Sequence, residues 1–335
     1  MKFGWRGALG ITLSAFALWY TLRGTDLGQI WNVLSHSSIP LWIACTVTAT
    51  AIFPLRARRW QALLAPVAGR LPFRSLWQTT AIGMMVSNVV GGRAGEPARA
   101  FALNRAEPTV KFSAAFASVA VDRLFDGTVV LLLMLAAFFD PAFQAEKPKW
   151  LITAMTGTAL FLSAVLVAMA LMVYAPRRIF AIYDAMISRT LPRFATSGRT
   201  LLEGFVSGLH VLRDPRLLAE VFFWTVLHWL TNAFAFWLGF KALGLNVPFS
   251  SALLLQGVIA VAVAVPSTPG FFGVFEAGAK LGLGLYGVSA TDAASFGLGF
   301  HILSYIPITI MGTMYLSRMH LHFRDLKSGD QPTPA

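Results

Sequence analysis

Residues 75–92, SLWQTTAIGMMVSNVVGG, decide how this chain is threaded. The run is apolar, and its length is close to the roughly 20 residues a helix needs to cross a hydrocarbon core of about 30 Å. It is broken by Gly83, Ser87 and Asn88, and it ends in Gly91-Gly92 ahead of Arg93-Ala94-Gly95-Glu96-Pro97-Ala98-Arg99. Whether it crosses or turns back depends on the charges around it.

Those charges fall in clusters between apolar runs. The segment 55–74 holds Arg56, Arg58, Arg59, Arg70 and Arg74, and the segment 175–217 holds Arg177, Arg178, Arg189, Arg193, Arg199, Arg213 and Arg216. The tail adds Arg318, Arg324 and Lys327, whereas 140–149 balances Lys147 and Lys149 against Asp140 and Glu146. Basic loops stay on the cytoplasmic side. A full crossing at 75–92 puts Arg93, Arg99, Arg105 and Lys111 outside, and the arginines of 175–217 with them. A segment that enters from the cytoplasm and returns keeps every basic cluster inside. The same reasoning makes 250–286, broken by Pro266, Pro269, Gly270 and Gly273, a hairpin entering from the other face. Irregular backbone at such depth is tolerated where protein or a watery cavity covers it.

Full spans are expected near 5–22, 39–55, 113–139, 150–174, 219–241 and 290–317, with Trp19, Tyr20, Trp42, Trp150 and Tyr174 at their ends. Such amphipathic rings sit at the headgroup level. The expectation is an all-α polytopic membrane protein with about six full transmembrane helices plus two re-entrant hairpins in inverted-topology repeats. Residues 1–320 form one membrane domain, 175–217 is a cytoplasmic loop, and 321–335 is a short cytoplasmic tail. Both termini are expected in the cytoplasm. Lys2 and Arg6 precede the first apolar stretch, but Arg23 and Asp26 follow it in place of a small-residue cleavage site, so it reads as an uncleaved helix.

Composition agrees. The chain is 335 residues, 56% hydrophobic, with a mean hydropathy of +0.65. Only 13% of it is charged, against about 25% in an ordinary soluble domain. The net charge of +12 is spread over short clusters rather than one face, which excludes nucleic acid as a partner. Cys45 stands alone inside an apolar run, so no internal disulfide can form.

The two hairpins resemble each other. One opens Pro72-Phe73-Arg74-Ser75 and reaches Gly95-Glu96; the other opens Pro248-Phe249-Ser250-Ser251 and reaches Gly270, then Glu276. The span after each opens Ser113-Ala114-Ala115 or Asp292-Ala293-Ala294, and nine residues on sit Asp122 and His301. Inverted repeats with broken helices place a binding site near the midplane.

Several ionisable side chains lie at that depth. Asp122 is about 14 Å along its helix, where a charge costs at least ~2.5 kcal/mol and must face protein or water. Asp126 shares its face and Arg123 is its neighbour. These three can serve a polar path or lock the bundle as a neutral network. In the first hairpin Asn88, Arg93, Glu96 and Arg99 bracket a helix start, whose free N–H groups and flanking arginines suit an anionic headgroup such as phosphate. In the second, Glu276 and Lys280 are spaced to pair. His228, His320 and His322 read as packed or interfacial, and no metal-binding, nucleotide-loop or serine-elbow motif is present, so neither a cofactor nor an enzymatic role is expected.

Three stretches in order carry a family resemblance: NVVGGRAGEPAR at 88–99, VDRLFD at 121–126 and PSTPGFFGVFE at 266–276. The chain resembles the lysylphosphatidylglycerol synthase transmembrane-region family, also called flippase-like, over nearly its whole length. The resemblance implies a stand-alone inner-membrane protein related to the lipid-translocating half of aminoacyl-phosphatidylglycerol synthases. About 18 residues follow the last span, so the soluble transferase domain, and lysyl transfer with it, is not expected. Asp122 stands where the family has Glu, and His301 where Arg is expected.

The resulting expectation is a lipid translocase for a phospholipid-, hopanoid- or polyprenyl-type amphiphile. Arg93 and Arg99 attract the headgroup; Asn88, Glu96, Asp122, Arg123, Asp126, Pro269, Gly270, Glu276, Lys280 and His301 line the path. A scaffold for a lipid- or glycan-modifying enzyme, a lipid headgroup enzyme, and a small-solute or ion transporter are the alternatives, and a homo-oligomer is compatible with the sequence.

Overall fold

The computed structural model describes residues 5–90, 94–140, 148–190, 195–264, 269–319 and 321. Among them every regular element is helical. In chain order the α-helices are α1 (Trp5–Leu22), α2 (Leu27–Ser35), α3 (Ile39–Ala68), α4 (Phe73–Val90), α5 (Gly95–Ala106), α6 (Phe112–Phe138) and α7 (Lys149–Tyr174). There follow α8 (Pro176–Thr190), α9 (Ala195–Gly208), α10 (Pro215–Ala242), α11 (Phe249–Ala262), α12 (Val274–Gly284) and α13 (Ala290–Arg318). The protein is an all-α polytopic membrane protein. α3, α7, α10 and α13 are long and apolar enough to cross a bilayer. α6 has 27 residues, a similar length, but carries Asp122, Arg123 and Asp126 in its middle. On α7, Leu160, Phe161 and Val167 are exposed without a protein partner layer, as a lipid-facing helix requires.

Local signals explain where the helices start. Asp214 caps α10 by accepting from the N–H groups of Arg216 and Leu217 (2.9 and 3.3 Å), with Pro215 in the first turn. Ser289 caps α13 by accepting from the Asp292 N–H. α3 departs from the sequence reading. Pro54 and the basic run after it suggest a helix end near 55, yet α3 continues to Ala68 with Pro54 and Pro66 inside it. A proline removes one backbone bond; here the helix on both sides of Pro54 is buried, from Trp42, Cys45 and Ala49 to Trp60, Leu63 and Leu64, and packing outweighs that loss. Arg56, Arg58 and Arg59 therefore belong to a helix and not to a loop.

The chain is built twice. α3 to α6 have 30, 18, 12 and 27 residues; α10 to α13 have 28, 14, 11 and 29. Ile39 and Pro215, Phe73 and Phe249, Gly95 and Val274, Phe112 and Ala290 are the paired starts, 176 to 179 residues apart. α3 and α10 lie side by side and antiparallel, with the Ser38 N–H donating to the Ala242 carbonyl and Cys45 Sγ to that of Ala235 (2.9 and 3.2 Å). Matching helices thus run in opposite directions, the inverted sense expected from the sequence. Each hairpin also packs on the last helix of the other unit. Trp77 and Asn88 of α4 donate to Tyr315 and Thr309 of α13 (both 2.9 Å), while Leu254 and Val258 of α11 pack on Val130 and Met134 of α6.

The first hairpin is longer than 75–92. Its returning arm is α5, so Arg99, buried, and Arg105, exposed, both lie on a helix and not on a connecting loop. At a rise of about 1.5 Å per residue, α5 and α12 are each too short to cross a bilayer. The arms touch where Gly83 crosses Gly95: a Cβ on Gly95 would lie 2.0 Å from the Gly83 carbonyl oxygen. Gly95→Ala is expected to force α4 and α5 apart and cost about 1–3 kcal/mol. A thermal unfolding midpoint equal to that of the parent protein would refute this close approach. The segment 175–217, expected to be a loop, is instead folded as α8, α9 and a 3-10 turn at Leu209–Arg213.

Candidate functional site

α3, α5 and α6 of the first unit, with α10 of the second, enclose a network of charge. At its centre Arg59 contacts both aspartates, Nε at 2.5 Å from Asp122 Oδ1 and Nη1 at 2.6 Å from Asp126 Oδ1. Arg99 Nη1 reaches Asp122 Oδ2 at 3.2 Å, and its guanidinium lies 3.7 Å from the centre of the Trp60 ring. Trp229 on α10 donates from Nε1 to Asp126 Oδ1 (2.9 Å) and stacks on His228. Arg59 and Asp122 have no exposed surface; Arg56, Arg99 and Asp126 have 7%, 4% and 5%. At the edge Arg123 joins Glu96 (Nε to Oε1, 2.9 Å) and Asp126 (Nη1 to Oδ2, 3.1 Å), with the Arg123 and Glu96 side chains 34% and 23% exposed.

Helix geometry brings these groups together. Asp122 and Asp126 are one turn apart on α6, as are Arg56 and Arg59 on α3, so two acidic and two basic side chains can face each other across the helix contact. Glu96 and Arg99 enter from the first turns of α5. Charge at such depth is costly unless paired, and pairing is uneven. Arg56 Nη2 comes only to 4.0 Å from Asp126, and among the described residues Arg56 Nε and Nη2, Arg59 Nη2, and Arg99 Nε and Nη2 have no hydrogen-bond partner. The sequence reading allowed a self-neutralising lock; three buried cations stand here against two buried anions.

The second unit is built differently at the matching place. Glu276 is fully buried, accepting from the Gly273 N–H (2.6 Å) at Oε2 and lying 2.7 Å from His301 Nδ1 at Oε1. His301 stands between Phe272 and Phe275, with ring centres at 4.5 and 4.6 Å. Phe236, the residue matching Trp60, packs edge-on to Phe275, Phe296 and Phe300. One unit holds permanent charge and the other an aromatic core with a single acid–imidazole pair.

The sequence-predicted residues divide into two groups. Glu96, Arg99, Asp122, Arg123 and Asp126 share the network. Asn88, Pro269, Gly270, Glu276 and His301 lie where the tip of α4 meets the turn Pro269–Phe271: Tyr305, whose ring is 6.3 Å from that of His301, donates to the Asn88 carbonyl (3.2 Å). Gly270 is buried there at φ +70°, a left-handed conformation that favours glycine. Lys280 belongs to neither group. It does not pair with Glu276; its Nζ donates to the carbonyls of Tyr20, Thr21 and Arg23 (2.8–2.9 Å) and so ties the end of α1 to α12. Arg93 lies outside the described residues. Sequence reasoning missed Arg56, Arg59, Trp60 and Trp229. The spacing of Arg56 and Arg59, which matches that of the aspartates around one helix turn, was the available signal, and Pro54 obscured it.

The family model for the lysylphosphatidylglycerol synthase TM region matches residues 7–312 of the 335. No curated protein matches the chain.

Proposed function

The chain belongs to the lysylphosphatidylglycerol synthase transmembrane-region family, and we propose that it is a lipid translocase of the inner membrane. It moves a phospholipid-, hopanoid- or polyprenyl-type amphiphile between leaflets. Both termini lie in the cytoplasm, six helices (α1, α3, α6, α7, α10 and α13) span the bilayer, and α4–α5 and α11–α12 are re-entrant from opposite faces. One observation carries this reading: a network of buried charge sits where a re-entrant hairpin meets the spanning helices, and among the described residues its partly exposed charged members are Glu96 and Arg123. A polar headgroup passing through an apolar bilayer needs such a place, since each unsatisfied polar group in hydrocarbon costs several kcal/mol. Glu96 and Arg123 receive the headgroup, Arg99 holds it while the aspartates position the arginines, and the acyl or isoprenoid chains stay against the lipid-facing helices. The meeting of the hairpin tips at Asn88, Gly270 and His301 is where the path changes sides.

Leaflet exchange tests this. Purified protein in vesicles is given head-labelled anionic, zwitterionic and polyprenyl lipids, and the label reached by a membrane-impermeant quencher is followed over time. Protein-dependent exchange of at least one class is the expected result. Folded protein that exchanges none of them would overturn the proposal.

A further inference from the structure

The charge network has a chemical preference of its own. Its carboxylates are spoken for: Glu96 by Arg123, Asp122 by Arg59 and Arg99, and Asp126 by Arg59, Arg123 and the Trp229 N–H. Beyond those contacts, Nε and Nη2 of Arg56, Nη2 of Arg59, and Nε and Nη2 of Arg99 have no hydrogen-bond partner among the described residues; Arg59 Nε and Asp122 Oδ1 also lack a bond of hydrogen-bond geometry but answer each other as an ion pair at 2.5 Å. These side chains are more than nine-tenths buried. Arg56, Arg59 and Arg99 against Asp122 and Asp126 leave one uncompensated positive charge, while the Glu96–Arg123 pair at the edge is balanced.

We infer that the site takes a phosphodiester monoanion carrying no ammonium group. This rests on reading the network as the headgroup site. A single negative charge completes the buried balance, and the two non-bridging oxygens of a phosphodiester offer acceptors for the free N–H groups of Arg56 and Arg99, the charge-assisted geometry arginine favours. A zwitterionic headgroup brings the same phosphate with a cation that no free carboxylate can receive. An aminoacylated headgroup, the chemistry in the family's name, brings a positive charge into a site already in excess of it. Buried charges without partners are strongly disfavoured, so selectivity follows from what is absent as well as from what is present.

Binding, measured apart from transport, provides the test. Protein in nanodiscs of zwitterionic lipid is titrated with phosphatidylglycerol, lysylphosphatidylglycerol or the water-soluble glycerophosphoglycerol, and retained ligand is counted by native mass spectrometry. Phosphatidylglycerol is expected to bind about tenfold or more tightly than the lysylated lipid, the difference of one charge-assisted contact. Arg56→Met is expected to remove that preference while the thermal midpoint of the protein in purely zwitterionic lipid holds or rises. A merely structural Arg56 predicts the opposite, a lower midpoint with the preference intact. Glycerophosphoglycerol binding as tightly as phosphatidylglycerol supports the phosphodiester chemistry and assigns it to a soluble ligand. Equal retention of both lipids, or an unchanged preference in Arg56→Met, overturns the inference. Preferential binding without leaflet exchange would leave this site standing and remove the translocase reading; exchange without preference would do the reverse.

Discussion

Arg59→Gln is expected to destabilise the folded protein by about 3–5 kcal/mol, the usual result of removing one partner from a fully buried ion pair. Arg59 is the only residue of the network, among those described, that contacts both aspartates directly from α3, at 2.5 and 2.6 Å. Glutamine is shorter and uncharged. It leaves Asp122 to Arg99 alone and leaves Asp126 to the edge arginine, the Trp229 N–H and the distant Arg56. Mutual attraction is strong in a medium of low polarity, and so is the penalty for a carboxylate that loses its cation. The measurement is thermal or denaturant unfolding in detergent, beside Arg56→Met. Two arginines one turn apart on one helix should move stability in different directions, because Arg59 contacts both aspartates at 2.5 and 2.6 Å and Arg56 comes only to 4.0 Å from one of them. A loss below about 1 kcal/mol for Arg59→Gln, the range of an exposed pair, would mean that water reaches the network.

Glu96→Gln is expected to act on transport and to spare the fold. Glu96 and Arg123 are partly exposed, and such pairs contribute no more than about 1 kcal/mol to stability. Glutamine keeps an acceptor oxygen for Arg123 but not the charge. Asp126 is then the remaining carboxylate on Arg123, and the edge of the site gains a net positive charge that binds an anionic headgroup without releasing it. One added charge-assisted contact holding the headgroup corresponds to about 1.5–3 kcal/mol, or about a ten- to hundredfold slowing of leaflet exchange. The vesicle assay should show this in protein whose unfolding midpoint is unchanged. Parent-level exchange in Glu96→Gln would remove the edge pair from the path.

Much of the site was legible because its chemistry is out of place. Asp122, Arg123 and Asp126 stand in an otherwise apolar helix, and a charge in such surroundings identifies itself from composition alone. Glu96 and Arg99 were legible from the break that precedes them. Arg56 and Arg59 were not, since a basic run after a proline has the same appearance whether it anchors a loop at the membrane surface or sits on a helix that continues. Lys280 shows the converse. Its spacing from Glu276 allows a pair, but the carbonyls at the end of α1 take the ammonium and His301 takes the carboxylate. Sequence spacing states which groups can meet along one helix, and it is silent on competitors arriving from another.

By itself the sequence determined the class and the plan of this protein. Hydropathy and charge clustering dictate membrane helices, and glycine, proline and polar breaks in two corresponding places dictate hairpins. Nine residues from Ser113 or from Asp292 place Asp122 and His301 near the middle of their helices. Those are properties of short stretches, and helix periodicity makes them readable. Tertiary structure alone decided which charge answers which. Arg59 meets Asp122 and Asp126 only because α3 lies along α6, and Arg56, one turn away on the same helix, is left 4.0 Å from Asp126 by that contact. The surplus of one buried cation is a sum over three helices, α3, α5 and α6, and it exists only once their faces have met.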